Sequence, residues 1–216
     1  MAKKTATKKL KNRVKIDATE IPMRPAPYLV VGPGRCGSST VARLLHEHFN
    51  ISMGYDFLPT DVDANPDGNY EDMHLVDVHK TLIVGKLNLS QWLHELQRIF
   101  HTRFQRGIPW GIKDPLICYY LPYYLYVFFD DNPRVIRCTR SKNLVCKSMV
   151  KHWKDVTTMK FAESCYDHRK HFLDYSLKNY SHLSIDFSKR ISDKTIIKMI
   201  EDMWPDIYDG DWGCEA

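Results

Sequence analysis

The sequence has no long apolar run, no paired-cysteine motif and no histidine pattern of the kind that holds a metal. Its longest apolar stretch, Leu116 to Phe129, carries Pro122 and falls short of the roughly 20 residues needed to cross a bilayer. The lysine-rich start is followed by no apolar segment before Pro22, so it does not read as a secretory signal. The six cysteines, at 36, 118, 138, 146, 165 and 214, show neither CxxC pairs nor zinc-site spacing and are expected to be reduced thiols. His46 with His48 and His74 with His79 come without HExxH or cysteine partners, which favours surface or core histidines and no metal. These absences point to a soluble, cytoplasmic chain without a transmembrane segment.

The formal charge of +5 is concentrated at one end. Lys3, Lys4, Lys8, Lys9, Lys11, Arg13 and Lys15 all precede the first acid, Asp17, which leaves 24 of the 31 basic residues against 26 acids in the rest. A nearly neutral body disfavours nucleic acid as a partner, and the tail reads foremost as a solvated arm, with an electrostatic handle as the alternative. A chain of 216 residues suits one substantial core. The expected organisation is a basic tail and proline-rich lead-in over residues 1–26 and a single domain over 27–216.

Tyr28 to Val31 is a short apolar run that ends in a glycine-rich turn, and Ser38 to Phe49 follows with apolar residues at helical spacing. Tyr55 to Asn69, rich in proline, glycine, Asp and Asn, reads as a loop. The pattern then predicts helices from Met73 to Val84 and Ser90 to Phe104, and a strand at Trp110 to Ile112. An aromatic helix follows from Leu116 to Phe129, which Pro122 should kink or split. Beyond it come a strand at Arg134 to Thr139 and a helix capped by Ser141 and running to Trp153. The chain ends with a helix from Phe161 to Leu177, a strand at His182 to Phe187 and a helix from Asp193 to Met203. Strands separated by helices imply a parallel sheet, so the expected fold is α/β, three-layered and P-loop-like, with helices on both faces. Ligands in such folds gather at the carboxyl ends of the strands.

The strongest local signal is GPGRCGSST, Gly32 to Thr40, between the first strand and the first helix. Such a turn points backbone amides and a helix N-terminus at one concavity and favours a phosphate there. The lysine that a Walker A loop places after its second glycine is absent, because Ser38 stands in that position. The cation lies inside the loop instead, at Arg35, whose fork suits a phosphate or sulfate oxygen. A second segment, RVIRCTRSKNLVCKSMVKHW from Arg134, places Arg140 at a strand end and Ser148 two turns into the next helix. Between them lie WGIKDPLICYYLP from Trp110 and, further upstream, NPDGNYED from Asn65.

In this order the four segments resemble the PAPS-dependent sulfotransferases (PAPS being 3'-phosphoadenosine-5'-phosphosulfate), in particular their bacterial and carbohydrate-type branch. The likeness covers Tyr28 to Trp153. It implies a 5'-phosphosulfate loop of Gly34, Arg35, Cys36, Gly37, Ser38, Ser39 and Thr40, and a 3'-phosphate pair of Arg140 and Ser148. Lys142 stands where the family often has proline. The resemblance further implies Glu71 as the base for an acceptor hydroxyl or amine, with Asp114 and His74 as alternatives. Lys113 and Arg35 would neutralise the departing phosphate, and Asp114 would position the lysine. The donor would be PAPS, the product adenosine 3',5'-bisphosphate (PAP), and no metal is required. Two other readings stay open at this point: a divergent P-loop kinase or NTPase, and a non-catalytic nucleotide-binding protein. The tyrosines at 119, 120, 123, 124 and 126 are expected to be core more than acceptor pocket, and the donor motifs leave the acceptor unnamed.

Overall fold

The computed structural model describes residues 26–59, 65, 68–104, 107–128, 132–153, 156 and 158–208. The basic tail through residue 25, Pro66 and Asp67 of the NPDGNYED segment, and Cys214 lie outside the described residues. Strands β1 (Tyr28–Val31), β2 (Gly111–Lys113), β3 (Arg134–Thr139) and β4 (His182–Asp186) form one parallel sheet in the order β2-β1-β3-β4. Between and after them run α1 (Ser38–Glu47), α2 (Met73–Ile83), α3 (Leu89–Phe104), α4 (Ile117–Val127), α5 (Lys142–His152), α6 (Met159–Leu177) and α7 (Asp193–Met203).

β1 explains why the sheet is covered on both faces. All four of its residues, YLVV, are buried, and successive side chains on a strand point to opposite sides. Tyr28 and Val30 pack into a core with Val41 and Leu45 of α1, Val145 and Met149 of α5, and Ile196 and Ile200 of α7. Leu29 and Val31 face the other core, built from Trp92, Leu96 and Phe100 of α3 and Ile117, Leu121 and Tyr124 of α4. The fold is therefore α/β, a parallel sheet between two helical layers, as the alternation of strand and helix patterns predicts.

The element limits agree closely with the sequence pattern, and β3 and α7 begin and end where it places them. Three details differ. α4 runs unbroken through Pro122. The proline ring forfeits one backbone bond, but it lies on the exposed side of a helix that Cys118, Leu121 and Tyr124 hold down from beneath. Ser141 occupies the N-cap position of α5 without a side-chain cap bond; its backbone carbonyl accepts from the Val145 amide instead, at 3.1 Å. The Ser52–Trp110 pairing, too short for a pattern to reveal, lays an extended segment beside β2. No helix among the described residues is long and apolar enough to cross a membrane.

Asp72 ties the helical layer to the edge of the sheet. One carboxylate oxygen caps α2 by accepting from the amides of His74 at 3.0 Å and Leu75 at 3.3 Å. The other meets Arg103 of α3 at 2.5 Å, both side chains being 2% exposed, and Arg103 also donates to the Gly111 carbonyl at 3.2 Å. Replacing one partner strands the other charge in the interior. Asp72→Ala should therefore cost about 3–5 kcal/mol, since it loses the cap as well as the pair. Urea unfolding of the variant measures this, and a loss below about 1 kcal/mol would contradict a buried pair.

Candidate functional site at the carboxyl edge of the sheet

In a sheet of this order the chain leaves β1 toward β2 on one side and β3 on the other, so a crevice opens between β1 and β3 at their carboxyl ends. The glycine-rich loop fills its rim. Gly34, Arg35 and Gly37 have φ of 87°, 54° and 90°, a run of left-handed conformations that turns successive amides toward one side. Two of these glycines are irreplaceable on steric grounds as well. A Cβ on Gly37 would lie 2.5 Å from the Phe187 ring, and one on Gly34 would lie 2.9 Å from Trp153. Gly37 is also the N-cap of α1 and offers no side chain to the first amides of that helix, which are left for a ligand.

The residues singled out by motif converge here. Arg35 Nε donates to Ser148 Oγ at 3.0 Å, and its Nη1 donates to Asn65 Oδ1 at 3.2 Å. Arg140 Nη1 approaches the Arg35 carbonyl at 3.4 Å, while its Nε is buried without a partner among the described residues. The proposed 5' and 3' phosphate segments thus abut. Ser38 is buried, and Ser39 and Thr40 are half-buried at the start of α1. Cys36 is packed fully inside the loop, where burial raises its thiol pKa and makes it a packing residue.

Lys113, at the end of β2, draws in the remaining segments. Its Nζ donates to Ser39 Oγ at 3.1 Å, to the Asn69 carbonyl at 3.1 Å, and to the Glu71 carboxylate. Burial raises the pKa of Glu71 above its ordinary 4.5, against the opposing pull of Lys113. Asp114 does not hold Lys113, contrary to the expected role. One of its oxygens meets His79 Nδ1 at 2.6 Å and the other accepts from the Leu116 amide at 2.8 Å. His79 Nε2 in turn meets Tyr124 OH at 2.7 Å. Burial alone would raise the pKa of Asp114, but His79, the Leu116 amide and Lys113 outweigh it and leave the carboxyl below its ordinary 3.8. His74 is exposed on α2.

A cavity of about 360 Å³ opens beside these groups, lined among others by Arg35, Glu71, Lys113, Asp114, Trp153 and Arg169. Sequence reasoning missed Arg169, Trp153 and the buried His79. Arg169 sits in a helix of mixed polar and apolar residues and carries no motif, so only its position reveals it. The tyrosines of α4 divide: Tyr124 is core, Tyr119 reaches Arg169 at 3.3 Å, and Tyr126 is exposed.

Arginine pairing sets the partly buried arginines of this site apart from the buried and partly buried ones elsewhere in the described residues. Arg43, Arg98, Arg103, Arg134 and Arg137 each hold a carboxylate. Arg140 and Arg169 hold none among the described residues; both donate to carbonyls of the glycine-rich loop. Partly buried guanidinium groups without counter-charge, beside free helix amides, are the chemistry of an anion site. No family model and no curated protein matches the chain.

The ionised Asp114 makes its own pH prediction. A carboxyl with lowered folded-state pKa contributes stability that is present above its unfolded value and is lost as pH falls through the folded one. Asp114→Asn should therefore flatten the stability profile below about pH 3.8 relative to the wild type. Thermal unfolding across pH 2 to 6, roughly the carboxylate range, compares the two. Parallel curves would mean that Asp114 is not ionised in the fold.

Proposed function

We propose that the protein is a sulfotransferase of the PAPS-dependent kind, moving a sulfuryl group to a hydroxyl or amine acceptor. The observation that carries this reading is the convergence of Arg35, Ser148, Arg140 and Lys113 at one strand edge. They come from three separate segments, each resembling a donor-site motif of that family. In this reading the loop amides with Arg35, Ser38, Ser39 and Thr40 hold the 5'-phosphosulfate, and Arg140 with Ser148 takes the 3'-phosphate. The unpaired Arg140 Nε is one donor that such a phosphate would satisfy.

The reaction is an in-line displacement. The acceptor oxygen forms a bond to sulfur as the bond from sulfur to the bridging oxygen breaks, and the electron pair leaves with the 5'-phosphate of PAP. Lys113 and Arg35 stabilise that charge. The acceptor's proton goes to Glu71, whose raised pKa suits a proton acceptor. Lys113 holds Glu71 in the free protein, so one cation orients the base before the donor arrives and faces the leaving group afterwards. The five free cysteines among the described residues accompany a cytoplasmic assignment within the same proposal.

Thermal unfolding with PAP, beside AMP and ATP with magnesium, tests the reading. A ligand at about 100 times its dissociation constant adds about 2.7 kcal/mol, roughly 5–10 °C for a chain of this size. PAP should give such a shift and AMP should not match it; a shift confined to ATP with magnesium would replace this reading with a kinase. Arg140→Ala should weaken PAP by about tenfold to a hundredfold. Glu71→Gln should bind PAP normally and lower turnover from PAPS by about a hundredfold or more. Equal loss of binding in both variants would sink the two roles.

A further inference from the structure

Arg169 holds the Pro33 carbonyl at the start of the glycine-rich loop and lines the same cavity as Arg35 and Lys113. It comes from the middle of α6 and is braced on three sides. Its guanidinium carbon lies 4.9 Å from the centre of the Trp153 ring and 5.7 Å from that of Tyr119. Nε donates to Tyr119 OH at 3.3 Å, and Nη1 donates to the Pro33 carbonyl at 3.0 Å. Nη2 makes no hydrogen bond among the described residues. A fork held in this way has given up much of its freedom before any ligand arrives, which favours tight recognition of an oxyanion.

The charge around the cavity points the same way. Its lining holds four cations, Arg35, Lys80, Lys113 and Arg169, and two carboxylates, Glu71 and Asp114. Glu71 is taken by Lys113, and Asp114 faces His79. The donor's 5' end engages Arg35 and Lys113. Arg169 and Lys80 are left over: neither forms an ion pair with a carboxylate among the described residues, although Lys80 lies near enough to Glu71 to pull its pKa down. Resting on the sulfuryl-transfer reading, we infer that the acceptor is itself an anion. It is a hydroxyl compound that also carries a carboxylate, sulfate or phosphate group, bound at the Nη2 edge of Arg169 and reinforced by Lys80.

Two measurements separate this inference from the reading beneath it. Calorimetry with PAP on the wild-type protein and Arg169→Gln tests the donor site first; because Arg169 braces the glycine-rich loop through the Pro33 carbonyl, any change in PAP affinity is met by saturating both proteins with PAP. The PAP complexes are then titrated with two matched pairs of probes. The pairs are 4-hydroxyphenylacetate with 4-hydroxyphenylethanol, and p-nitrophenyl β-D-glucuronide with p-nitrophenyl β-D-xyloside. The charged member of at least one pair should bind the wild-type complex about tenfold tighter than its neutral partner, a preference that Arg169→Gln abolishes. Arg169→Lys, which keeps the charge without the fork, should retain part of it and guards against a variant that fails to fold. Absence of any charge preference in the wild-type complex, or its survival in the PAP-saturated Arg169→Gln complex, would overturn the inference and leave the donor reading intact. Failure of the wild type to bind PAP would instead remove the donor reading, and the acceptor inference with it.

Discussion

The ammonium group of Lys113 is the point on which the geometry of the site depends. It lies at the last position of β2, 4% exposed, and must find acceptors because a buried cation without them is costly. The acceptors come from three places: the Ser39 hydroxyl at the start of α1, the Asn69 carbonyl, and Glu71 just before α2. Satisfying one cation therefore brings the glycine-rich loop, the residues Asn69 to Glu71 and the sheet edge into register. The segment so drawn in then supplies Asn65 to Arg35, and Arg35 reaches Ser148 on α5. A chain of polar contacts thus runs from β2 across β1 to the helix after β3, along the carboxyl edge where an α/β sheet presents its ligands.

Around that chain the fold distributes charge unevenly. Buried and partly buried arginines away from the site are matched with carboxylates, as Arg134 is with Asp206 and Arg137 with Asp174. At the glycine-rich loop two guanidinium groups are held by carbonyl oxygens instead. Carbonyls fix a guanidinium in place without neutralising it, so the positive potential remains available to an anionic ligand. The buried His79 between Asp114 and Tyr124 does the converse, keeping a carboxylate ionised and turned away from the cations.

The sequence-based reading succeeded where the physics is local. Apolar runs and helical periodicity located the elements because burial on one face imposes its period directly on the chain. The glycine pattern of Gly32 to Gly37 was legible because left-handed backbone demands it. Motif spacing singled out Glu71, Arg140 and Ser148, which the fold brings to the carboxyl edge of the sheet. Ser141 stands at the N-cap as read but makes no side-chain bond there, and α4 is not split at Pro122, since propensity rules describe a helix alone, and neighbouring elements packed against it can hold it through a missing bond.

By itself, then, the sequence determined the α/β order, the turn of the glycine-rich loop and the identity of the residues at each strand end, because each follows from short-range sterics and periodic burial. The partners of those residues were decided only in three dimensions. Nothing along the chain tells Lys113 to take Glu71 rather than Asp114, or sets Arg169 against the Pro33 carbonyl with Trp153 beneath it. Those choices depend on which parallel strands lie side by side and on how far each side chain can reach across the edge they share.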